Sequence, residues 1–142
     1  MRYIATFVIA FALLACQIAS SVQRQPLSVS LSQLIESPQK FDEKRIEVQG
    51  FLVIWTQPRH PPFVVLYVDE KDAEDFSTKN GILVIPGQEL LHSKERIDRE
   101  YGTLVGSFRA VRGPHGSYGL QIRDIQKFNL SAGPGANVER ER

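Results

Sequence analysis

Seven side chains in this sequence are best suited to holding a ligand. Trp55, Arg59, His60 and Phe63 lie in one stretch, and Arg112, His115 and Tyr118 in another. Guanidinium groups offer planar donors, and aromatic rings offer stacking faces. Together they suit sugars, single-stranded nucleic acid or peptide. Residues suited to breaking bonds are harder to find. Ser93 follows His92, but no G-x-S-x-G elbow surrounds it, and its helical context makes it a surface serine. His60, His92 and His115 stand in separate segments without metal-ligand spacing such as H-x-x-x-H. The acidic run Asp69, Glu70, Asp72, Glu74 and Asp75 lacks the glycine and the distal glutamate of a calcium loop. Carboxylates at a helix start are stabilised by the helix dipole, which accounts for the run without a ligand. The sequence therefore predicts a binding protein with no catalytic residues, no cofactor and no metal.

Charge and the first segment narrow the ligand class. Arg2 precedes Ile4 to Ala15, an apolar run whose only polar member is Thr6. That is the layout of a secretory signal, and it falls short of the roughly 20 residues a spanning helix needs. Removing the leader, and Arg2 with it, leaves a formal charge of zero. Nucleic-acid binders carry a basic excess because phosphate neutralisation dominates their affinity. A neutral exported chain argues against that class.

Leu13-Leu14-Ala15-Cys16 resembles the lipobox of bacterial lipoproteins. The resemblance implies that Cys16, the only cysteine, becomes lipidated and forms the new amino terminus. Gln17 after it implies the outer membrane of a Gram-negative cell. Cleavage after Ser21 is the competing reading, since Ala19 and Ser21 fit the small-residue rule and would give a soluble periplasmic or secreted protein. Either cut leaves the folded part without a thiol or a disulfide.

The elements that position the seven side chains follow from periodicity. Residues 1–16 form the export region and 17–28 a linker. The folded domain spans 29–130, and the glycine-rich, charged stretch 131–142 reads as a disordered tail. Ser30 and Gln33 are spaced as a capping box, with Val29 and Leu34 as a hydrophobic staple. They predict a short helix, stopped near Pro38. Residues 45–55 form a long strand. Ile46, Val48, Leu52 and Ile54 lie on one face, and Phe51, Val53 and Trp55 on the other. Gly50 between the two halves marks a bend by which one strand serves two sheets. Strands follow at 63–68 and 81–86, with a stiff loop (56–62) before the first and an acidic turn or short helix (69–76) before the second. A helix is expected over 88–102, supported by the pairs Lys94–Asp98, Glu95–Arg99 and Arg96–Glu100. Strands at 103–111 and 120–128 flank a loop at 112–119.

This order makes a mainly β fold. It is a five-stranded, OB-fold-like Greek-key barrel with a short N-terminal helix and a helix between strands three and four. Another small barrel or sandwich is the alternative. In an OB-fold the first and last hairpin loops flank the usual ligand face, which is where the seven side chains fall. The stretches S-L-S-Q-L-I-E-S-P-Q-K-F-D-E-K-R-I-E-V-Q-G-F-L (30–52) and Y-G-T-L-V-G-S-F (101–108) resemble small bacterial envelope proteins with an OB-type domain. More loosely, they resemble the periplasmic bacterial OB-fold proteins. The resemblance covers residues 29–129 and implies no catalytic residues. The expected function is an exported, lipid-anchored envelope module. It would meet the membrane through Cys16 and bind a cell-wall saccharide, a peptide or another envelope protein. A structural role in an envelope assembly and an enzyme with a loop-built site are the alternatives.

Overall fold

The structure, a computed structural model, describes residues 25–113 and 118–133. Its first element is β1 (Leu27–Ser30), followed at once by α1 (Leu31–Glu36). The capping box is in place: the Ser30 hydroxyl accepts from the Gln33 N–H at 3.2 Å, and the Gln33 side chain accepts from the Ser30 N–H at 3.0 Å. The long strand β2 (Arg45–Gln57) comes next, then β3 (His60–Tyr67), α2 (Glu70–Glu74) and β4 (Gly81–Val84). Two short helices, α3 (Gln88–His92) and α4 (Lys94–Ile97), lead into β5 (Glu100–Arg112) and β6 (Tyr118–Leu130).

Pairing closes β2 to β6 into a barrel in the order β2-β3-β4-β6-β5 and back to β2. The β4–β6 contact is parallel, and the other pairs within the ring are antiparallel. This is the five-stranded, OB-fold-like barrel that the strand order predicts. The bend in β2 is its pivot. Residues 45–52 pair with β5, and residues 51–57 pair with β3. β1 lies parallel to residues 46–49 on the edge that β3 takes over further along. Gly50 sits at that handover, directly opposite Gly102. A Cβ on Gly50 would come within 2.6 Å of the Tyr67 carbonyl oxygen, and one on Gly102 would run into the Phe128 ring. The strands approach so closely there that neither position has room for a side chain.

The alternation of β2 divides its side chains between two cores. Ile46, Val48, Leu52 and Ile54 point inward to Val64, Leu66, Ile82, Val84, Leu104, Phe108 and Ile122. Leu31 and Leu34 of α1, with Leu90 and Ile97 of α3 and α4, join the same cluster. Phe51 and Val53 point outward into a second, smaller core with Tyr67 and Ala73, so α2 covers the outside of the barrel there.

Three expectations are corrected. The helix over 88–102 is two short turns, and the chain is extended from Glu100. Tyr101 therefore packs edge-on to Phe51 at 5.1 Å as a strand residue, and Gly102 is a crossing point rather than a helix stop. The helical ion-pair ladder does not form. The Asp98 carboxylate instead accepts the Ile54 N–H at 2.7 Å, and Leu52 O accepts the Arg99 N–H at 2.9 Å. These bonds cover the edge of β2 where β5 leaves it, a tertiary demand that outweighs weak surface pairs. The linker ends earlier than expected, because Leu27 and Ser28 already pair with Ile46 and Glu47. The 56–62 loop is a tight hairpin. Gln57 pairs with His60, and Arg59 turns the chain at φ 71°.

β3 starts His60-Pro61-Pro62 but meets β4 only from Val64 onward, so its first residues have one unpaired edge. Ser131 continues the β5 pairing by donating its N–H to the Tyr101 carbonyl, and Gln49 Nε2 donates to the Ser131 hydroxyl. The leader with Cys16, residues 17–24 and the tail from 134 lie outside the described residues.

Two outcomes test this account. Gly50→Ala should lower stability by about 1–3 kcal/mol in thermal or urea unfolding, because backbone lies in the way of the new methyl group. Gly87→Ala, into open space, should change it by less than about 0.5 kcal/mol. Asp98→Ala should cost about 1–3 kcal/mol by stranding the Ile54 N–H, and Asp98→Asn should recover much of that loss.

Candidate functional site

The outward residues of β2, β3 and β4 meet in an open groove of about 860 Å³. Its first wall is Trp55 and Phe63, opposite each other across the β2–β3 hairpin, with ring centroids 6.3 Å apart and planes 21° from parallel. The floor continues through Val65 and Leu83 to Gly119 and Leu120, at the base of the β5–β6 hairpin. Two residues before the Leu83–Gln121 pair, β4 and β6 both carry glycine, at 81 and 119. At Gly81 the Val65 side chain and the Tyr67 ring close over the backbone and leave no room for a Cβ.

The second wall is the segment after α2. Asp69 caps that helix by accepting the Asp72 N–H at 2.8 Å. Tyr101 Oη accepts the Glu70 N–H at 3.2 Å, and buried Ala73 seats the helix on Phe51, Val53 and Tyr67. The helix end is closed by the bonds Phe76 N–H to Ala73 O and Ser77 N–H to Asp72 O. Phe76 stands at φ 51°, the left-handed conformation that glycine usually takes at such a stop. Holding a phenylalanine there costs about 1–2 kcal/mol. Phe76 is 65% exposed, and its ring lies against Trp55 with centroids 4.8 Å apart. A second left-handed residue, Arg99 at φ 59°, sets its guanidinium over the Trp55 ring at 6.0 Å. Two costly backbone conformations thus converge on one indole. Such strain gathers at sites that hold ligands.

Of the sequence-predicted residues, Trp55 and Phe63 are brought together in the groove. Arg59 and His60 are exposed at the hairpin tip beyond it. Arg112 is exposed at the end of β5 and pairs with Tyr118 at the start of β6. His115 and the Tyr118 side chain lie outside the described residues.

Sequence reading missed Phe76, Lys79, Arg99 and Leu83. Phe76 carried one usable signal, an aromatic residue just after an acidic helix start. Nothing in the sequence marked Arg99, because it read as one more member of a helical charge ladder. The acidic run has structural work: Asp69 caps α2, and Asp72 Oδ1 accepts from Asn80 Nδ2 at 2.7 Å. Among the described residues no group of three or more histidines, cysteines or carboxylates could hold a metal ion. His92 and Ser93 belong to the α3–α4 turn, and neither lines the aromatic groove.

A second groove, of about 710 Å³, runs between α3, α4 and the end of β6. Phe128 is its only aromatic residue. The first groove combines clustered rings, a cation on the indole and two strained residues, which single it out as the candidate site.

No family model matches the chain, and no curated protein matches it. Among solved structures, one assigned as an aspartyl-tRNA synthetase from Leishmania major Friedlin is similar at 10% identity and a TM-score of 0.46. The likeness covers 78% of this chain and 22% of that one. It carries no argument about the site. The strand order and closure alone define the class, a five-stranded OB-type barrel.

The strain at Phe76 makes a measurable claim. Phe76→Gly should be more stable than Phe76→Ala by about 1 kcal/mol, since only glycine occupies that backbone freely. Both substitutions should shift the fluorescence of Trp55, the only tryptophan, to the red by exposing its ring.

Proposed function

We propose that this protein is a non-enzymatic binding module of the bacterial cell envelope, exported and tethered by a lipid on Cys16. It takes its ligand in the Trp55 groove. One observation carries the reading: Phe63, Phe76 and Arg99 converge on Trp55 in an open groove, two of them from strained backbone. The stop of α2 needs a left-handed residue at 76 but no aromatic side chain, and the exposed Phe76 ring adds recognition surface beside Trp55. The groove lies on the face that OB-folds commonly use for ligands, an analogy of fold that raises its standing and no more.

The envelope address rests on the sequence. The short apolar leader, the lipobox-like Leu13-Leu14-Ala15-Cys16 and the resemblance over 29–129 support it together. Cell-wall saccharide, peptide and envelope protein are the ligand classes compatible with that address. An assembly role would use the same surface, with a partner chain covering the rings.

Two measurements test the proposal. Growth with labelled palmitate should mark the wild-type protein and leave Cys16→Ser unmarked. A label retained by the variant would overturn the anchor. Titration with fractionated envelope material should move amide resonances at Trp55, Phe63, Phe76 and Leu83 together. Shifts confined to α3, α4 and the end of β6 would point to the other groove and overturn the site.

A further inference from the structure

We infer that the groove binds a proline-rich segment of a partner protein in the polyproline II conformation, with an acidic residue beside the prolines. This rests on the reading of the groove as a ligand site and specifies what enters it.

The chemistry of the lining sorts the candidates. No carboxylate lines the groove. Trp55, Gln57, Tyr67, Ser77, Thr78 and Lys79 all carry N–H or O–H donors, only Gln57 and the three hydroxyls among them can also accept, and the rest of the lining is apolar or glycine. A matching ligand presents hydrogen-bond acceptors and apolar surface, and few donors of its own. A saccharide presents a hydroxyl donor at nearly every carbon. Its binding site needs acceptors to receive them, the carboxylates above all. A proline-rich segment has the complementary character, because each proline keeps its carbonyl and lacks an N–H. Polyproline II also leaves those carbonyls unpaired internally, and its rings dock readily on aromatic grooves.

Geometry agrees with chemistry. The groove crosses the strands from β2 through β3 and β4 to β6, so backbone pairing with a guest strand is unavailable on its floor. Neighbouring strands lie about 4.8 Å apart, so alternate strands present contacts about 9.6 Å apart. One turn of polyproline II is three residues and about 9.3 Å, which places equivalent faces of the guest on alternate strands. Same-face side chains of a β-strand repeat at about 6.7 Å and would fall out of step. The whole crossing, three strand spacings, accommodates about five residues of such a helix.

Charge adds direction. Lys79 is the single ionised residue in the lining, and Arg99, outside the lining, sets its guanidinium over the indole. Both are positive. A carboxylate in the guest meets the Lys79 ammonium in the lining, whereas an arginine or lysine meets no carboxylate there.

The full chain reconstituted in lipid nanodiscs is the material for the test. The probes are a short polyproline peptide carrying one glutamate, its glutamine counterpart, a cell-wall glycan fragment and an oligothymidylate. Trp55 fluorescence reports occupancy directly. The glutamate peptide should give a saturable change, Phe76→Ala should weaken it about tenfold, and Lys79→Glu should weaken the glutamate peptide more than the glutamine one. Phe76 and Lys79 are both exposed, so these variants retain the fold. A response to the glycan or the oligonucleotide without one to the peptides overturns the proline-rich ligand and leaves the groove as a binding site. No response to any probe, with the fold intact, overturns both.

Discussion

At Phe51 and Leu52 the backbone of β2 is paired on both edges at once, to β5 on one side and to β3 on the other. This double pairing closes the barrel. There β3 presses on Gly50 of β2 and β6 on the facing Gly102 of β5, and no side chain fits at either. Beyond it β5 departs, and the freed edge of β2 is covered by the Asp98 carboxylate and the Arg99 N–H. Covering that edge puts Arg99 into a left-handed turn, and the turn aims its guanidinium at Trp55. A solution to a pairing problem inside the barrel thereby shapes the groove outside it.

The outer face follows from the same strand. Because β2 alternates, the residues that do not fill the barrel must go outside, and past Gly50 they are aromatic or branched. α2 shelters Phe51 and Val53, while Trp55, at the margin of that cluster, is only partly buried and is met by Phe63, Phe76 and the Arg99 guanidinium. Apolar surface left beyond a covering helix and braced by strained residues has a use other than core formation. The proposed binding role gives it one, and a donor-rich, acid-free lining gives that role a chemistry.

Barrel, capping box and bend were legible because each rests on local signals: alternation in 45–49 passing into an all-apolar run at 51–55, a glycine between the two, serine and glutamine at the right offset. The 88–102 segment misled for a physical reason. Its charges are spaced as a helix would space them, yet Ile54 needs a hydrogen-bond acceptor and Phe51 needs a ring beside it, and neither need is visible within the segment. Trp55 and Phe63 could be nominated from their place at a hairpin. Phe76 and Arg99 could not, since both reach the site through backbone angles that only the folded neighbourhood makes worthwhile.

The opening of β3 has a consequence of another kind. A hairpin that projects past its neighbouring strand offers an exposed ladder, the usual starting point for copies to zip together. Here Pro61 and Pro62 occupy that stretch, so whichever nitrogen faces the open edge has no hydrogen to give. The arm can therefore stand out into solvent, rings and all, without seeding fibrils.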